Sequence, residues 1–291
     1  MIKISNISKS IDKTSILENI DIEIRKGSVF GLIGVNGAGK STLLRLMSGV
    51  YKPDKGTITY GGEPVYDNAA VKQKIFFISD SVDGYSDMTP KQLKAFVKNY
   101  YPNFSDELFD TLCEKLKLDT DKRMAVFSKG MKRQVLIIAG LAARTEYLLM
   151  DEAFDGLDIL MKKTVTGIIF DEVMDHGLTV VISSHNISEV SALCDSAAMI
   201  SGKTVKFIRN EGSENTLFKV NTAFKTDFSP ESLSGLNLIK SEKTGSVYSL
   251  IIKESKENIE KAFASCETLF LDIFPLTLEE AFLYEAENSE S

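Results

Sequence analysis

One loop constrains this chain more than any other feature. The stretch LIGVNGAGKSTLLRLM, residues 32–47, runs from an apolar segment through glycines into a helical pattern. Gly34 to Ser41 match G-x-x-x-x-G-K-[ST] at every fixed position. Glycines let backbone N–H groups converge on an anion without Cβ clashes, and the following helix N-terminus adds partial positive charge. The spacing therefore predicts a phosphate-binding loop between a strand and a helix.

The residue types in this loop predict how it binds a nucleotide. Lys40 is expected to reach the β- and γ-phosphates, and the Ser41 hydroxyl is expected to bind Mg²⁺. The loop alone indicates only a nucleoside triphosphate, because kinases, GTPases, helicases and transporters share it. The residues predicted to contact the nucleotide here are Gly34, Asn36, Gly37, Ala38, Gly39, Lys40, Ser41 and Thr42.

A second group of candidate residues follows two apolar runs. Asp151 and Glu152 come after YLLM, which predicts a buried strand, at the end where ligands bind in open parallel sheets. Asp151 is placed to hold the water shell of Mg²⁺, and Glu152 to polarise an attacking water. His185 follows the strand TVVISS and is predicted to contact the γ-phosphate, although a lone histidine is more often packed or solvated.

Strand-like and helical patterns alternate along most of the chain, which predicts an α/β fold with a parallel, helix-covered sheet. Residues 1–208 are predicted as a nucleotide-binding domain, with a helical subdomain at about 87–145 in which Leu93, Phe96, Val97 and Tyr100 share one face. Residues 209–291 are predicted as a small C-terminal α+β accessory domain with a last helix near 277–287. The junction is placed at NEGSEN, 210–215.

Composition narrows the class of partner. The formal net charge is −7 and no Lys/Arg-dense run occurs, so nucleic acid is not expected to bind. No apolar run approaches the roughly 20 residues that span a bilayer, and the first ten residues lack the order of a signal peptide. A cytosolic protein is expected, which contacts a membrane only through a partner. The three cysteines have no metal-ligand spacing and are expected to be reduced thiols.

The order of motifs resembles the nucleotide-binding subunits of ABC transporters. After the phosphate loop come FSKGMKRQ (127–134), LLMDEAFDGLD (148–158) and SSH (183–185). The family signature, usually LSGGQ, corresponds to Phe127–Met131, the D-loop to Asp155–Asp158 and the switch histidine to His185. The resemblance covers residues 1 to about 208 and implies a P-loop NTPase (RecA-like) core. NYYPNFSDEL (99–108) and PLTLEEAFLYE (275–285) are also similar to ATPases of bacterial exporters linked to bacitracin, lantibiotic and cell-wall-antibiotic resistance.

The resemblance implies a composite site. In the family, the signature helix meets the γ-phosphate bound by the other subunit, which implies Ser128, Gly130 and Met131 as nucleotide contacts. ATP then joins two subunits, identical or not, head to tail, and hydrolysis lets them part. The expected function is ATP hydrolysis that drives export of a solute, for example a peptide or antibiotic, through separate transmembrane permease subunits. The expected location is peripheral, on the inner face of the cell membrane. Residues 79–89 would form the groove for a coupling helix of the permease.

Two positions depart from the family pattern. Ile11 stands where the family has an aromatic residue that stacks on adenine. Asp80 stands where the family has a glutamine that binds Mg²⁺ and senses the membrane subunit, so the expected metal set is Ser41, Asp151 and Asp80. Asp80 is either a metal ligand or only a loop-capping residue.

Two other functions stay open at this stage. One is a soluble ABC-type ATPase in translation or DNA maintenance, against which the single cassette and the acidic balance argue. The other is a nucleotide-binding regulator without turnover, against which Glu152 and His185 argue.

Overall fold

The structure is a computed structural model that describes residues 1–152, 154–209, 217–224, 235–264, 266–277 and 279–280; of residues 206–209 it describes the backbone only. The chain divides into two compact units, Met1–Ile208 and Arg209–Ser291. The predicted junction at 210–215 lies outside the described residues.

The first unit begins with an antiparallel sheet in the order β2-β1-β4-β5. Isoleucines alternate along its two long strands, and Ile2 lies opposite Ile24 while Ile4 lies opposite Ile22. All four side chains are buried, because alternation places them on one face of the sheet. The strands are β1 (Ile2–Ile11), β2 (Thr14–Ile24), β4 (Lys55–Tyr60) and β5 (Glu63–Pro64).

A six-stranded sheet in the order β10-β9-β3-β8-β7-β6 forms the centre of the first unit. Neighbours from β9 to β6 pair in parallel, as the sequence predicts. Every residue of β3, β7 and β8 is buried, which explains their continuous apolar runs. The strands are β3 (Val29–Ile33), β6 (Ile75–Ile78), β7 (Tyr147–Met150), β8 (Thr179–Ser184), β9 (Ser196–Ser201) and β10 (Thr204–Arg209).

Seven helices are described in the first unit, and side-chain caps fix where several of them begin. Thr89 and Gln92 form a reciprocal capping box ahead of Pro90. Ser105, Ser128 and Asp158 each accept a hydrogen bond from a backbone N–H in the first turn of their helix. The helices are α1 (Lys40–Met47), α2 (Ala69–Lys72), α3 (Pro90–Lys98), α4 (Asp106–Lys115), α5 (Lys129–Ala142), α6 (Ile159–His176) and α7 (Ile187–Leu193).

The helical subdomain consists of α3, α4 and α5, which pack on one apolar core. Leu93 and Val97 of α3 are buried in it, as predicted. Phe96 and Tyr100 are not: they are 39% and 59% exposed, and the helix ends at Lys98. The rings of Phe96 and Tyr100 contact each other with centroids 5.2 Å apart, so the buried stripe of α3 is narrower than the predicted apolar face.

The second unit contains an antiparallel sheet in the order β12-β13-β11-β14, with α8 covering its core. Ile259 and Phe263 of α8 pack against Val220, Leu250 and Ile252 of the sheet. These strands and this helix agree with the predicted α+β character, whereas the predicted last helix, near 277–287, lies largely outside the described residues. The elements are β11 (Leu217–Phe224), β12 (Leu238–Thr244), β13 (Val247–Lys253), α8 (Lys256–Phe263) and β14 (Thr268–Pro275).

Two further expectations concern the whole chain. None of the described helices is both long enough and apolar enough to cross a bilayer. Cys113, Cys194 and Cys266 are free thiols, as predicted, and burial raises the pKa of Cys113 to about 12.

Candidate nucleotide-binding site

The phosphate loop lies between β3 and α1, in the strand–loop–helix context that its sequence requires. Gly39 precedes the helix with a φ of 106°, in the left-handed region that favours glycine. A Cβ atom on Gly39 would lie 2.8 Å from Leu17 Cδ2, so the loop backbone packs directly on β2. Glycine is needed here both for its backbone angle and for its lack of a side chain.

Lys40 is buried, with 5% of its surface exposed, and its ammonium has oxygen partners within the protein. Lys40 Nζ donates to Gly34 O at 2.7 Å and lies 3.3 Å from Glu152 Oε1. A buried ammonium needs such partners because an uncompensated charge in the interior is costly. Nucleotide phosphates bound in this loop would compete with Gly34 O and Glu152 for the same cation.

Glu152 also contacts the predicted switch histidine. His185 Nδ1 lies 2.9 Å from Glu152 Oε2, so the carboxylate is held between a lysine and an imidazole. The backbone of Glu152 has a φ of 46°, a left-handed conformation that costs an L-residue roughly 1–2 kcal/mol. The parallel pairing of β7 and β8 explains why the two residues meet, because their strands end at the same edge of the sheet.

Asp151 is fully buried and has one satisfied and one unsatisfied carboxylate oxygen. Ser183 Oγ donates to Asp151 Oδ1 at 2.6 Å and accepts from Glu152 N at 3.0 Å. Asp151 Oδ2 has no hydrogen-bond partner among the described residues. Ser183 was not among the predicted site residues, although the pair of hydroxyl residues at the end of a buried strand was a usable signal.

The unsatisfied oxygen of Asp151 fits a bound Mg²⁺, directly or through a water. A buried acceptor without a donor is costly, and a hard cation or its water shell would satisfy it. In the part of the chain that the structure describes, no three His, Cys, Asp or Glu side chains cluster as a metal site. Phosphate oxygens, the Ser41 hydroxyl and the predicted ligand Asp80 would therefore have to complete the coordination.

The signature helix begins as the sequence predicts and packs closely on the D-loop. Ser128 Oγ accepts from Met131 N at 3.2 Å. A Cβ atom on Gly130 would lie 2.4 Å from Gly156 O, so only glycine fits this contact. Lys129 Nζ lies 2.5 Å from Asp155 Oδ2, and this hydrogen bond lowers the pKa of Asp155.

The signature residues are separate from the phosphate loop of the same chain. Within the described ranges, no hydrogen bond or ion pair joins Ser128, Gly130 or Met131 to residues 34–42. The structure thus brings together Lys40, Glu152 and His185, with Asp151 one hydroxyl away, and places the signature against the D-loop instead.

Asp80 and Ile11, the two departures from the family pattern, lie at the ends of strands. Asp80 follows β6, its side chain is 52% exposed, and its Oδ1 lies 3.6 Å from Arg45 Nη2. Its backbone carbonyl accepts from Arg133 Nη2 at 2.8 Å. Ile11 ends β1, pairs with Thr14 in the hairpin and is half-buried. Arg133 was not among the predicted site residues, although an arginine two positions before the apolar run VLIIAGLA was a visible signal.

The fold and this arrangement define a P-loop nucleotide-binding protein. A model of the ABC transporter family matches residues 17–155. The lantibiotic transport ATP-binding protein SrtF of Streptococcus pyogenes is 34% identical over 218 residues, which are 74% of this chain and 93% of that protein. The ABC transporter ATP-binding protein YtrB of Bacillus subtilis (strain 168) is 28% identical over 284 residues, 97% of each chain. A solved ATP-binding subunit of an ABC transporter matches with a TM-score of 0.66 and 23% identity, over 72% of this chain and 90% of that one.

The chain belongs to the ATP-binding subunits of ABC transporters and is an ATPase. Its fold class, a P-loop α/β core with a helical subdomain and a small α+β unit, is confirmed.

Proposed function

We propose that this chain powers an exporter by hydrolysing ATP between two ATPase subunits bound to membrane-spanning partners. The observation that carries the proposal is the contact of Glu152 with both Lys40 and His185, beside an Asp151 oxygen that lacks a donor. A phosphate-binding cation, a candidate base and a metal-fitting acid thus meet at one sheet edge. This combination suits phosphoryl transfer to water, which depends on positioning and charge stabilisation.

Each side chain has a proposed role. The backbone N–H groups of the loop bind the phosphates, and Lys40 neutralises charge on the β- and γ-phosphates. Glu152 orients and polarises the attacking water. His185 contacts the γ-phosphate and holds Glu152 in position through the 2.9 Å contact. Ser183 fixes the Asp151 carboxylate, since its hydroxyl donates to one of the two oxygens.

Mg²⁺ would be held by Ser41 and Asp151, with Asp80 as the third proposed ligand. When bound, it would neutralise charge that develops on the phosphate oxygens. For Asp80 this role requires that its carboxylate exchange the half-buried Arg45 for the metal. The 3.6 Å separation of the two groups and the 52% exposure of the Asp80 side chain make this exchange inexpensive.

The proposed active unit is a head-to-tail dimer. Ser128, Gly130 and Met131 begin a helix, whose N-terminal N–H groups suit an anion, yet they do not contact the phosphate loop of their own chain. The γ-phosphate held by a second subunit would supply the anion. A solved bacterial ABC transporter cassette that is dimeric has the same fold, with a TM-score of 0.66 and 18% identity over 73% of this chain and all of that one.

A groove beside the loop after β6 is the proposed binding site for the membrane partner. It opens to solvent and lies between the central sheet and the helical subdomain. Polar Ser79 and Ser81 and aromatic Tyr85 form its rim, while apolar residues form its floor. These features fit a short amphipathic helix, which buries one face and leaves the other to polar contacts. We propose that a coupling helix of the permease binds here.

The proposed cargo is a peptide or antibiotic-like solute, carried outward. The relatives include SrtF, named for lantibiotic transport, and the linearmycin resistance ATP-binding protein LnrL of Bacillus subtilis (strain 168). LnrL is 32% identical over 206 residues, 69% of this chain and 66% of that protein. The chain would then act on the cytoplasmic face of the cell membrane, held there by the permease.

Purification from detergent-solubilised membranes tests this function. A tagged full chain should recover an integral membrane protein together with ATPase activity. A Ser81→Trp variant, which fills the groove, should lose the membrane protein, whereas Ser191→Trp on the exposed surface of α7 should retain it. Recovery of ribosomes instead of a membrane protein, or purified protein that binds no ATP, would refute the proposal.

A further inference from the structure

Arg133 makes an unusual contact for a fully buried arginine. It lies on α5, a turn after Gly130, and its side chain has no exposed surface. Its guanidinium donates from Nη1 to Ser79 O at 2.6 Å and from Nη2 to Asp80 O at 2.8 Å. Both acceptors are backbone carbonyls of the loop that follows β6. The signature helix is therefore fastened to the main chain of that loop by one side chain.

This contact is costly, which argues against plain core packing. Within the described residues, Arg133 has no carboxylate at salt-bridge distance and its Nε has no hydrogen-bond partner. Burial lowers the pKa of Arg133, although the charges of Asp155, Asp80, Asp151 and Glu152 act in the opposite direction. An apolar side chain of similar size would fill the same space at lower cost. An apolar residue would not supply the two hydrogen bonds to the loop backbone.

The two elements that Arg133 joins face different parts of the site. On the helix side, Ser128 and Gly130 begin α5. On the loop side, Ser79 and Ser81 line the groove, and Asp80 carries the carboxylate next to Arg45. A displacement of the loop must therefore move α5 or break both hydrogen bonds. The planar guanidinium favours joint movement, because its donors are fixed in one fork.

We propose that Arg133 is a positioning residue that couples the nucleotide-facing end of α5 to the groove loop at residues 79–81. The inference rests on the proposed function, since it assumes that nucleotide closes on the signature helix. The coupling is reciprocal: a ligand that moves α5 moves the groove loop, and a partner seated in the groove moves α5 by the same free energy. Lysine does not replace arginine here, because one ammonium on a flexible stem cannot bridge both carbonyls in a fixed geometry.

A single tryptophan tests the coupling, because the chain contains none. Tyr85→Trp places the reporter on the rim of the groove, in a full chain that also carries Glu152→Gln so that ATP is not consumed. ATP with Mg²⁺ is the probe, and a fluorescent ATP analogue measures binding separately. The reporter shift and the affinity for the analogue are measured in this chain and in the same chain with Arg133→Met, Arg133→Lys or the control Lys132→Met. Lys132 is the neighbouring cation on α5, and its Nζ donates to Asp83 Oδ1 at 2.7 Å and to Ser86 Oγ at 3.1 Å, both beyond residues 79–81.

The expected result is a loss of response without a loss of binding. ATP should shift the reporter emission when Arg133 is present, and both Arg133 variants should reduce the shift at least about five-fold. The nucleotide affinity should change by no more than about three-fold, since the phosphate loop is intact. Lys132→Met should keep the shift, because Lys132 binds the side chains of Asp83 and Ser86, and its loss leaves both hydrogen bonds from Arg133 to the backbone of residues 79 and 80 in place. Thermal unfolding identifies any variant that does not fold. If Arg133→Met does not fold, the reporter shift of Arg133→Lys tests the coupling.

Two outcomes would overturn the inference alone. One is a full reporter shift in a folded Arg133 variant, which would mean that the residue only supports the fold. The other is the absence of a reporter shift in the Tyr85→Trp, Glu152→Gln chain that keeps Arg133, while the ATP analogue still binds to it. If the analogue does not bind in that background, the proposed function itself is refuted, and the coupling with it.

Discussion

Lys40 Nζ lies 3.3 Å from Glu152 Oε1, although the two residues belong to different motifs separated by the whole helical subdomain. The contact shows that the phosphate loop and the acidic strand end form one site. The other oxygen of Glu152 meets His185 Nδ1 at 2.9 Å. Phosphates that take over the Lys40 ammonium would leave Glu152 oriented by His185 alone, ready to bind a water.

Replacing Glu152 by glutamine is expected to abolish turnover and preserve ATP binding. The amide keeps the size of the side chain but is a far weaker base, and positioned acid–base groups contribute about 10²–10⁴-fold to rate. The ATPase rate should fall by this factor, and size-exclusion chromatography should show a dimer that depends on ATP.

Glu146→Gln is the matched control for this prediction. Glu146 precedes the opposite end of β7 and pairs at the surface with Lys26 at 3.3 Å. Its rate should remain close to that of the unmodified chain. A Glu152→Gln protein that turns over ATP as fast as this control would remove Glu152 from the catalytic role.

Local sequence predicted the parts of the site that depend on neighbouring residues. The segment Gly34–Ser41 is contiguous, so its spacing alone indicated a strand, a loop and a helix. Glu152 and His185 were each placed after a predicted strand of the parallel sheet, and their contact is explained by the rule that parallel strands end at the same edge. Ser128 was named through the family resemblance, and the structure shows that its hydroxyl accepts from the first turn of α5.

Contacts between distant segments were not predictable in the same way. Nothing in the local sequence shows that Gly130 lies against Gly156, or that the Arg133 guanidinium reaches Ser79 and Asp80. Such contacts depend on how α5 packs on two separate loops. The exposure of Phe96 follows the same logic, because its position on α3 is set by what the helix packs against and not by its hydrophobicity.

The close contact between the signature helix and the D-loop predicts that an alanine at Gly130 destabilises the fold. Gly130→Ala would place a Cβ atom 2.4 Å from Gly156 O, a backbone atom that cannot rotate away. The free energy of unfolding should fall by about 1–3 kcal/mol, as for other overpacked sites. The ATPase rate should fall as well, because the start of α5 has to shift.

Gly167→Ala is the control for this change. Gly167 lies within α6, is exposed, and its added Cβ would meet no atom within 4 Å. Alanine should stabilise the helix by roughly 0.5–1 kcal/mol. Urea unfolding of both variants measures the difference. If Gly130→Ala had the same free energy of unfolding as Gly167→Ala, the D-loop would move aside without cost and the prediction would be wrong.

Ile11→Tyr is expected to tighten ATP binding by a few-fold. An aliphatic side chain packs on adenine but has no π-face, so a stacking contribution of about 0.5–1.5 kcal/mol is missing. The unmodified chain should accordingly discriminate weakly between ATP and GTP. Calorimetric titration with each nucleotide measures both effects.

Tyr51 is the competing candidate for adenine stacking. It is half-buried, and the guanidinium carbon of Arg45 lies 5.9 Å from its ring centre. Tyr51→Leu should leave ATP affinity unchanged if Ile11 faces the base. A large loss of affinity in Tyr51→Leu, with none gained in Ile11→Tyr, would reverse the assignment.

The accessory unit is predicted to contribute to contacts between ATPase subunits. In β14, Leu269 is 63% exposed and Phe274 is 53% exposed, more apolar surface than a short edge strand usually leaves to water. Truncation after Asn210 should lower the nucleotide-free dimer fraction, as measured by analytical ultracentrifugation. The alternative is that the apolar residues of this unit serve only its own core. An unchanged oligomeric state in a folded truncated chain would establish that alternative.

Asp80 is predicted to be a metal ligand, in place of the family's glutamine. Its carboxylate is a hard oxygen donor of the kind that Mg²⁺ prefers, on a stem one methylene shorter than that of glutamine. Asp80→Ala should raise the Mg²⁺ concentration needed for half-maximal ATPase activity. Asp80→Gln should keep much of the activity, because its carbonyl still offers a neutral oxygen. ATPase rates against free Mg²⁺ for the three proteins, with the membrane partner present, measure this.

The ion pair with Arg45 provides the control for Asp80. Arg45 Nη2 lies 3.6 Å from Asp80 Oδ1, so Asp80→Ala also removes this contact. Arg45→Met removes the same pair but leaves the carboxylate, and it should leave the Mg²⁺ midpoint unchanged or lower it, since a competing cation is gone. If Asp80→Ala and the unmodified chain share one midpoint, the carboxylate binds no metal. Asp80 would then act through its backbone, whose carbonyl accepts from Arg133 whatever the side chain.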